Sequence, residues 1–237
     1  MTRTTVVVDV VNETVRWPKR SGYSERQEDV LRRRLIHTAH HAGERGTSQA
    51  FEHLVWNDNT PCLVYANVRE LDGDIALAEL ESPRPFDPAA AFGPVALRFF
   101  ELMREIVVLS DTEPSSFPGP RIVFVNRAFE RMTGYQASEI LGRTPRMLQG
   151  EQTCPETRKM IGESLARWDS VSTEVRNYRK NGTPFDSEIT IYPVTDETGW
   201  YTYWCSLQRD VTEERERTAQ LRNARDQALA ASRAKSE

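Results

Sequence analysis

The chain has 237 residues, a formal net charge of −4 and three widely separated cysteines, and this length predicts one or two domains with a buried core. An acidic balance without a basic block leaves no cationic surplus for a nucleic-acid backbone or an anionic membrane, so neither is an expected partner. The cysteines lack paired or metal-ligand spacing, no apolar run approaches the ~20 residues of a membrane helix, and the N-terminus lacks a signal-peptide pattern, which together predict a cytoplasmic protein.

Residues 1–91 predict a small α+β region of unknown role. TTVVVDVV indicates a strand, and SERQEDVLRRRLIHTAHHA indicates a helix with Ser24 as its candidate N-cap. CLVYANV and DIALAEL indicate two strands around the turn-forming LDGD. His37 and His41 lie one helical turn apart without an accompanying acid, so we expect a solvated helix face rather than a metal site. The four prolines of ESPRPFDPAAAFGP then predict a linker that leads, over residues 92–103, into a short helix.

Residues 104–212 predict a five-stranded antiparallel sheet with helices on one face. REIVVLSD and RIVFVN indicate two strands joined by a long loop. NRAFERMTGYQASEILGRTP indicates short helices, and CPETRKMIGESLARW indicates another helix with Pro155 in its first turn. STEVRNYRKNGTPFDSEITIYPVTDETGWYTYWCSLQRDV supplies three more strands, separated by the turns KNGTP and DETG. The expected fold class is therefore α+β.

Residues 213–237 predict a signalling helix without Gly or Pro. Leu221, Ala224, Ala228 and Ala231 form a narrow apolar seam at coiled-coil spacing. A lone helix with so thin a stripe is marginal in water, so we expect a homodimer through it. The alternative is an exposed helix held by ion pairs along its own surface. Because the helical pattern continues to residue 237, we also expect a downstream output domain in a longer parent protein.

Four segments together resemble the flavin-binding light-oxygen-voltage (LOV) branch of the PAS domains: RIVFVNRAFERMTGY, LGRTPRMLQG, RNYRKNGTPF and SLQRDVTEE. The resemblance covers slightly under half of the chain. In LOV photoreceptors, a cysteine within the second segment forms a light-driven adduct with flavin mononucleotide (FMN). Pro145 stands at that position here, so the resemblance implies a domain without this photochemistry. Cys205 is expected to face away from the pocket, and Cys154 lies beyond the motif.

The resemblance also implies cofactor-binding positions, which are Thr144, Arg146, Gln149, Asn177, Ser187 and Gln208. Arg146 matches a phosphate-binding residue, Gln149 one that contacts the ring or ribityl chain, and Asn177 the amide at the pyrimidine edge. Carboxamides suit this edge because it alternates acceptors and a donor. Ser187 stands where a second asparagine is expected, and Gly162 where a second phosphate-binding arginine is expected. FMN is the cofactor that the resemblance implies, and these two departures leave riboflavin or no flavin at all as open alternatives.

Without the thiol, the expected mechanism is electron transfer sensed by Gln208, which matches the strand glutamine beside the flavin ring. The hydrogen bond of its amide would change and strain the last strand. That strand leads to Asp210 and Thr212, which match the junction where PAS domains continue into a helix and which are also good helix caps. ALAASRAKSE resembles the helix that enters the dimerisation helix of sensor histidine kinases, so the longer parent is expected to be such a kinase.

Two alternatives remain open at this point. A PAS module without flavin could dimerise or bind another small molecule or partner. A catalyst in residues 1–91 would use the histidines. The sequence also leaves open whether residues 1–91 form a second, degenerate PAS unit or a cap that packs on the sheet. No phosphoacceptor histidine with its surroundings and no ATP-binding segment follows, so catalysis is not expected of this chain itself.

Overall fold

The computed structural model describes residues 3–18, 21, 23–45, 48–58, 60–72, 74–112 and 119–234. The first unit contains six strands and one long helix, followed by two short helices that lead to the second unit. In chain order these are β1 Arg3–Asp9, β2 Thr14–Arg16, α1 Glu25–Arg45, β3 Gln49–Asn57, β4 Thr60–Asp72, β5 Ile75–Glu81, β6 Arg84–Pro85, α2 Pro88–Phe92 and α3 Pro94–Leu102.

The first unit is an antiparallel sheet covered on its inner face by α1. Its strands follow the order β2-β1-β5-β4-β3, and β6 pairs with β4. Ser24 caps the helix as expected, because its hydroxyl accepts a bond from the Gln27 amide and the Gln27 side chain accepts one from the Ser24 amide. Leu31 and Leu35 of α1 are fully buried against strand residues such as Val6, which leaves a filled apolar core.

The second unit carries the other strands and helices that the structure describes. In chain order these are β7 Ile106–Ser110, β8 Ile122–Val125, α4 Arg127–Thr133, α5 Ala137–Ile140, a 3₁₀ helix at Pro145–Leu148, α6 Pro155–Ala166, β9 Val171–Tyr178, β10 Pro184–Thr195, β11 Tyr201–Asp210 and α7 Thr212–Ala234. The sheet is five-stranded and antiparallel throughout, with the order β8-β7-β11-β10-β9. The predicted fold class and the long-looped pairing of β7 with β8 are confirmed.

The two sheets repeat one topology. Numbered within each unit, both follow the strand order 2-1-5-4-3, and both place helix between the second and third strands. The first unit is therefore a structural counterpart of the second. It is also a cap, because Leu54 and Trp56 of β3 join Phe92 and Phe100 of the connecting helices against the outer face of the second sheet. The shared strand order and this packing are compatible with each other, so the two alternatives for residues 1–91 do not exclude one another.

Polar contacts fix the first unit to the β10–β11 turn and to the end of β7. Arg34, which has no exposed surface, forms an ion pair with Asp196 in that turn. His37 Nε2 lies 3.2 Å from the hydroxyl of Thr198. Trp56 donates a hydrogen bond of 2.6 Å to Asp111. The expectation of a solvated face at His37 is thus wrong, because the second unit covers that part of α1.

Some elements were missed or misjudged from the sequence. β2, β3 and β6 were not predicted, and α2 begins at a proline inside the segment taken as a linker. Proline suits the first turn of a helix, where its missing N–H costs nothing, so the proline count was a poor guide there. In the described part of the chain, no helix is long and apolar enough to cross a membrane.

Candidate cofactor pocket

A cavity of about 770 Å³ lies between the sheet and helices of the second unit. The strand walls come from β9, β10 and β11 with Ser110 at the end of β7, and the helical walls come from the 3₁₀ helix and α6. Trp204, Ser206 and Gln208 of β11 line it together because alternate residues of a strand share a face. Cavities of this size hold drug-sized ligands or cofactors.

The structure brings most of the predicted site residues to this one cavity. The lining includes Thr144, Pro145, Arg146, Gln149, Asn177 and Gln208. Ser187 does not line the cavity. It pairs with Val175, which does, so Ser187 lies on the same face of the sheet and is fully buried. Six residues that were selected from separate sequence motifs therefore line the same cavity, and no single motif predicts that they come together.

Two buried oxygens on this face lack hydrogen-bond partners within the described part of the chain. They are the Ser187 hydroxyl and the Gln208 side-chain carbonyl, and both residues are at least nine-tenths buried. The Gln208 side-chain nitrogen donates a bond of 3.2 Å to Ser206. Because an unsatisfied buried polar group is costly, the unpaired oxygen of Gln208, which lines the cavity, favours a polar ligand there.

One end of the cavity is cationic. Arg146 lies on the 3₁₀ helix, and Arg158 and Lys159 begin the second turn of α6; all three line the cavity. Gly162 lines it one turn further along, and a Cβ built there would meet nothing within 4 Å. The three cationic side chains can thus bind a phosphate, and the space beside Gly162 is left unfilled.

The loop after the 3₁₀ helix is held by a close approach of backbone to a ring. A Cβ on Gly150 would lie 2.4 Å from the Tyr178 ring, so only glycine fits. The Tyr178 hydroxyl accepts a bond of 2.9 Å from the Gln152 amide, and the Thr153 hydroxyl donates one of 2.6 Å to Arg176 O. These contacts fix Gln149, and hence one wall of the cavity.

None of the three cysteines belongs to the residues described as lining the cavity. Cys205 packs among apolar side chains on the outer face of the sheet, as the alternation along β11 predicts. Cys154 is exposed at the start of α6, where its thiol contacts Glu156 at 3.0 Å. Cys62 is buried in the core of the first unit. Pro145 does border the cavity, at the first position of the 3₁₀ helix.

Asp210 and Thr212 tie the end of β11 to the start of α7. Asp210 accepts bonds from the Thr212 amide and hydroxyl at 2.9 and 2.6 Å, and it pairs with Arg179 at 2.7 Å. Although burial alone would raise it, these bonds together hold the pKa of Asp210 below its ordinary value. The Thr212 hydroxyl also accepts a bond from the Asp186 amide of β10. These bonds join the ends of β10 and β11 to the first turn of α7.

Sequence reasoning missed Trp204 and Trp168. Trp204 lines the cavity and is 4% exposed. Its ring is parallel to that of Trp168, which in turn stacks on Tyr201. The position of Trp204, four residues before Gln208 on a strand, was a usable signal for the same face. The position of Trp168, beyond the end of α6, gave no such signal.

A second cavity, of about 700 Å³, lies between the two units. Its lining includes Asp111 and Asp196, whose carboxylates are already engaged by Arg121 and Arg34. None of the predicted cofactor-binding residues lines it. Among the described residues, no group of three or more His, Cys, Asp or Glu side chains could hold a metal ion.

Comparisons with known proteins agree with this geometry. The family model of the PAS domain matches residues 105–213. A blue-light-activated histidine kinase of Brucella anthropi is 38% identical over 109 residues, which cover 46% of this chain and 22% of that protein. A blue-light photoreceptor of Listeria innocua is 36% identical over 120 residues, which cover 51% of this chain and 46% of that protein. The chain thus spans less than half the length of these relatives.

A solved structure of an RNA-binding light-oxygen-voltage receptor aligns with nearly the whole chain. The alignment covers 97% of this chain and 99% of that one, with a TM-score of 0.51 and 17% identity. At this identity the likeness shows the fold alone.

Residues 105–213 are a PAS domain, as the strand order and the family model show. The relatives that match these residues are a blue-light-activated histidine kinase and a blue-light photoreceptor, as the resemblance to the LOV branch leads us to expect. The resemblance stated from the sequence is confirmed at this level.

Proposed function

We propose that residues 105–213 are the flavin-binding sensory domain of a longer signalling protein, which responds to light or redox state without a cysteinyl adduct. The observation that carries the proposal is the cavity of about 770 Å³, whose lining combines the unpaired side-chain oxygen of buried Gln208 with a cationic end. Both features match the parts of FMN, whose ring edge needs hydrogen bonds and whose phosphate needs cations.

The residues present fit such a cofactor. Asn177, Ser187 and Gln208 would meet the ring edge, and Gln149 the ring or ribityl chain. Arg146, together with Arg158 and Lys159, would hold the phosphate, while Thr144 would border the cofactor beside Pro145. FMN, when bound, would supply light absorption and one-electron chemistry. Riboflavin is the alternative occupant, because Gly162 provides no cation.

The absorption spectrum of the purified protein tests the proposal. We expect the bands of oxidised flavin, reduction of the bound flavin by blue light with a reductant or by dithionite, and FMN after denaturation. A colourless protein that also fails to take up added FMN would contradict it and favour the second candidate, a ligand-free PAS module.

Replacing Pro145 by cysteine tests whether position 145 is the place from which a thiol would form the adduct with the flavin. In Pro145→Cys we expect blue light to abolish the visible flavin bands and darkness to restore them, because the thiol would enter the cavity wall. Pro155→Cys is the matched control, since Pro155 also opens a helix and borders the cavity. Equal behaviour of the two variants would contradict the assignment of position 145.

The signal would leave through Gln208, Asp210 and Thr212 into α7. A change in hydrogen bonding at Gln208 would shift β11, and the bonds at Asp210 would transmit the shift to α7. We propose that α7 pairs with α7 of a second copy; Leu221 is 67% exposed, and the side chains of Ala228 and Ala231 lie outside the described residues.

Spin labels on α7 of the dimer test this relay. Gln208→Leu should abolish a light- or redox-dependent change in label distance, whereas Gln220→Leu, at an exposed position of α7 outside the apolar seam, should preserve it. A retained change in Gln208→Leu would show that another residue carries the signal.

The proposed domains are a first unit at residues 1–91, a linker and lead-in helix at 92–103, the sensory domain at 104–212 and a signalling helix at 213–237. The proposed output is a histidine kinase domain in the longer protein, and the proposed location is the cytoplasm. Nucleic acid and membrane are not proposed partners. Fusion of the chain to a kinase core from a similar blue-light-activated kinase should give autophosphorylation that depends on light, and constant activity would count against this output.

A further inference from the structure

Three aromatic rings form a stack that begins in the cavity wall. Trp204 lines the cavity and is 4% exposed. Its ring centroid lies 5.2 Å from that of Trp168 at an angle of 6°, and Trp168 lies 4.2 Å from Tyr201 at 5°. Trp168 and Tyr201 are both partly exposed. The stack therefore connects the cavity with the protein surface.

Trp168 has a left-handed backbone conformation, which is usually adopted by glycine. The Trp168 amide donates to Leu165 O at 3.1 Å and the Asp169 amide to Ser164 O at 3.0 Å, a Schellman motif at the end of α6. The motif puts Trp168 at φ 60°, in the left-handed region. A bulky side chain is strained there. A strained tryptophan, parallel to two other rings, points to a role for the ring itself.

We propose that Trp204 and Trp168 form an electron path between a flavin in the cavity and the surface. This inference rests on the proposed function, because the path begins at the flavin. It replaces adduct formation, for which no cysteine lines the cavity among the described residues. Tyr201 acts as a positioning residue that keeps the Trp168 ring parallel to that of Trp204.

The steps balance in electrons and protons. After light absorption, the Trp204 indole gives one electron to the flavin ring. The Trp168 indole then donates one electron to the oxidised Trp204, and the oxidised Trp168 releases its Nε1 proton to water. An external thiol restores Trp168 by giving up one hydrogen atom, and the resulting sulfur radicals couple in pairs to a disulfide. Each electron gained by the flavin thus oxidises one thiol to half a disulfide and releases one proton.

Two variants separate the two steps in the flavin-loaded protein. Trp204→Phe keeps a ring of similar position but removes the first donor, so flavin fluorescence should rise several-fold and thiol-dependent photoreduction should fall several-fold. Trp168→Gly keeps the first donor and relieves the backbone strain, so fluorescence should stay low. Because Trp204 would not be restored, the charge-separated state should decay faster, and photoreduction should be largely lost.

Trp200→Phe is the matched control. Trp200 belongs to the turn before β11, packs against His37 at the junction of the units and is not among the residues lining the cavity. Its Nε1 is buried with no hydrogen-bond partner among the described residues, so the substitution removes no such bond. We expect both flavin fluorescence and photoreduction to match those of the unaltered protein.

The outcomes distinguish the inference from the proposed function. A coloured Trp204→Phe variant with unchanged fluorescence and photoreduction would overturn the electron path while flavin binding stands. Unchanged photoreduction in Trp168→Gly would overturn the second step. A protein that binds no flavin would overturn both proposals at once. Transient absorption should show an indole radical in the unaltered protein and lose that signal in Trp204→Phe.

Discussion

The first sheet is covered by one helix of 21 residues, whereas the second is covered by several short helices and a 3₁₀ turn. The long helix lays a continuous apolar stripe on its sheet and closes the space between them. The interrupted helices contact their sheet at separate points and leave a cavity. One strand order thus accompanies a filled core in one unit and a cavity in the other.

The equivalent central strands show the same difference. On the inner face of β5, Ala76, Ala78 and Leu80 are fully buried and apolar. On the corresponding face of β11, Trp204, Ser206 and Gln208 line the cavity. Small apolar side chains allow a helix to pack closely, whereas an aromatic ring beside polar groups forms a wall that a ligand can complete. The two units thus share a topology, and the cavity of the second depends on both its strand residues and its interrupted helices.

Shortening a leucine in each unit should give the largest contrast. Leu35→Ala removes a fully buried side chain from the filled core and should lower the free energy of unfolding by about 2–5 kcal/mol. Leu165→Ala alters a side chain that already borders the cavity, so it should cost clearly less. Denaturant titrations of both variants measure this difference, and equal losses would contradict the contrast between the two units.

Acid should also affect the first unit, through His53. Burial, and next the charge of Arg34, lower the pKa of His53 to about 3. The neutral histidine therefore stabilises the fold above its unfolded pKa of ~6.5, and this contribution is lost as the pH falls towards 3. Between pH 7 and pH 4, His53→Leu should lose less stability than the unaltered protein by a few kcal/mol, since each pKa unit is worth about 1.4 kcal/mol.

His40→Leu is the control for this titration, because His40 is exposed on the same unit. It should follow the unaltered protein through the whole pH range. An identical acid response of His53→Leu and the unaltered protein would mean that other groups determine the acid sensitivity.

The second unit was more predictable from sequence than the first. Its motifs carried a family resemblance, so turns such as KNGTP and residues such as Asn177 could be placed before the structure. In the first unit, β3 alternates buried and exposed residues, but the buried set Phe51, His53 and Val55 includes a histidine, which obscured the pattern. That polar member is buried because Trp200 of the other unit covers it, and sequence periodicity does not encode such a contact.

Individual residues of the site could be predicted from the sequence, but the size and shape of the cavity could not. Arg146 and Gln208 could be assigned from motifs. The distance between the sheet and the helices, which sets the depth of the cavity, depends on where the short helices end. Trp168 enters the site region only because α6 closes with a left-handed residue. A tryptophan there contradicts the usual preference for glycine, so local rules would place no ring at that point.

Ser187→Ala should change stability and binding in opposite directions. The Ser187 hydroxyl is buried without a partner among the described residues, so its removal should stabilise the flavin-free protein by roughly 1 kcal/mol. The same change should weaken flavin binding, because the proposed hydrogen bond between this hydroxyl and the ring edge could no longer form. Ser172→Ala, on the exposed part of β9, is the control. If flavin affinity is unchanged in Ser187→Ala, the hydroxyl does not contact the cofactor.

Gly162→Arg should give the smallest effect on stability and the most specific effect on binding. A strong helix former such as Ala or Arg in place of Gly162 should stabilise α6 by about 0.5–1 kcal/mol, and Gly162→Ala supplies that gain without a charge. Since a Cβ at this position meets nothing within 4 Å, an arginine side chain can extend along the cationic end of the cavity. Gly162→Arg should therefore bind FMN more tightly relative to riboflavin, while Gly162→Ala keeps the original ratio. Equal ratios in the two variants would place the phosphate away from α6, at Arg146 alone.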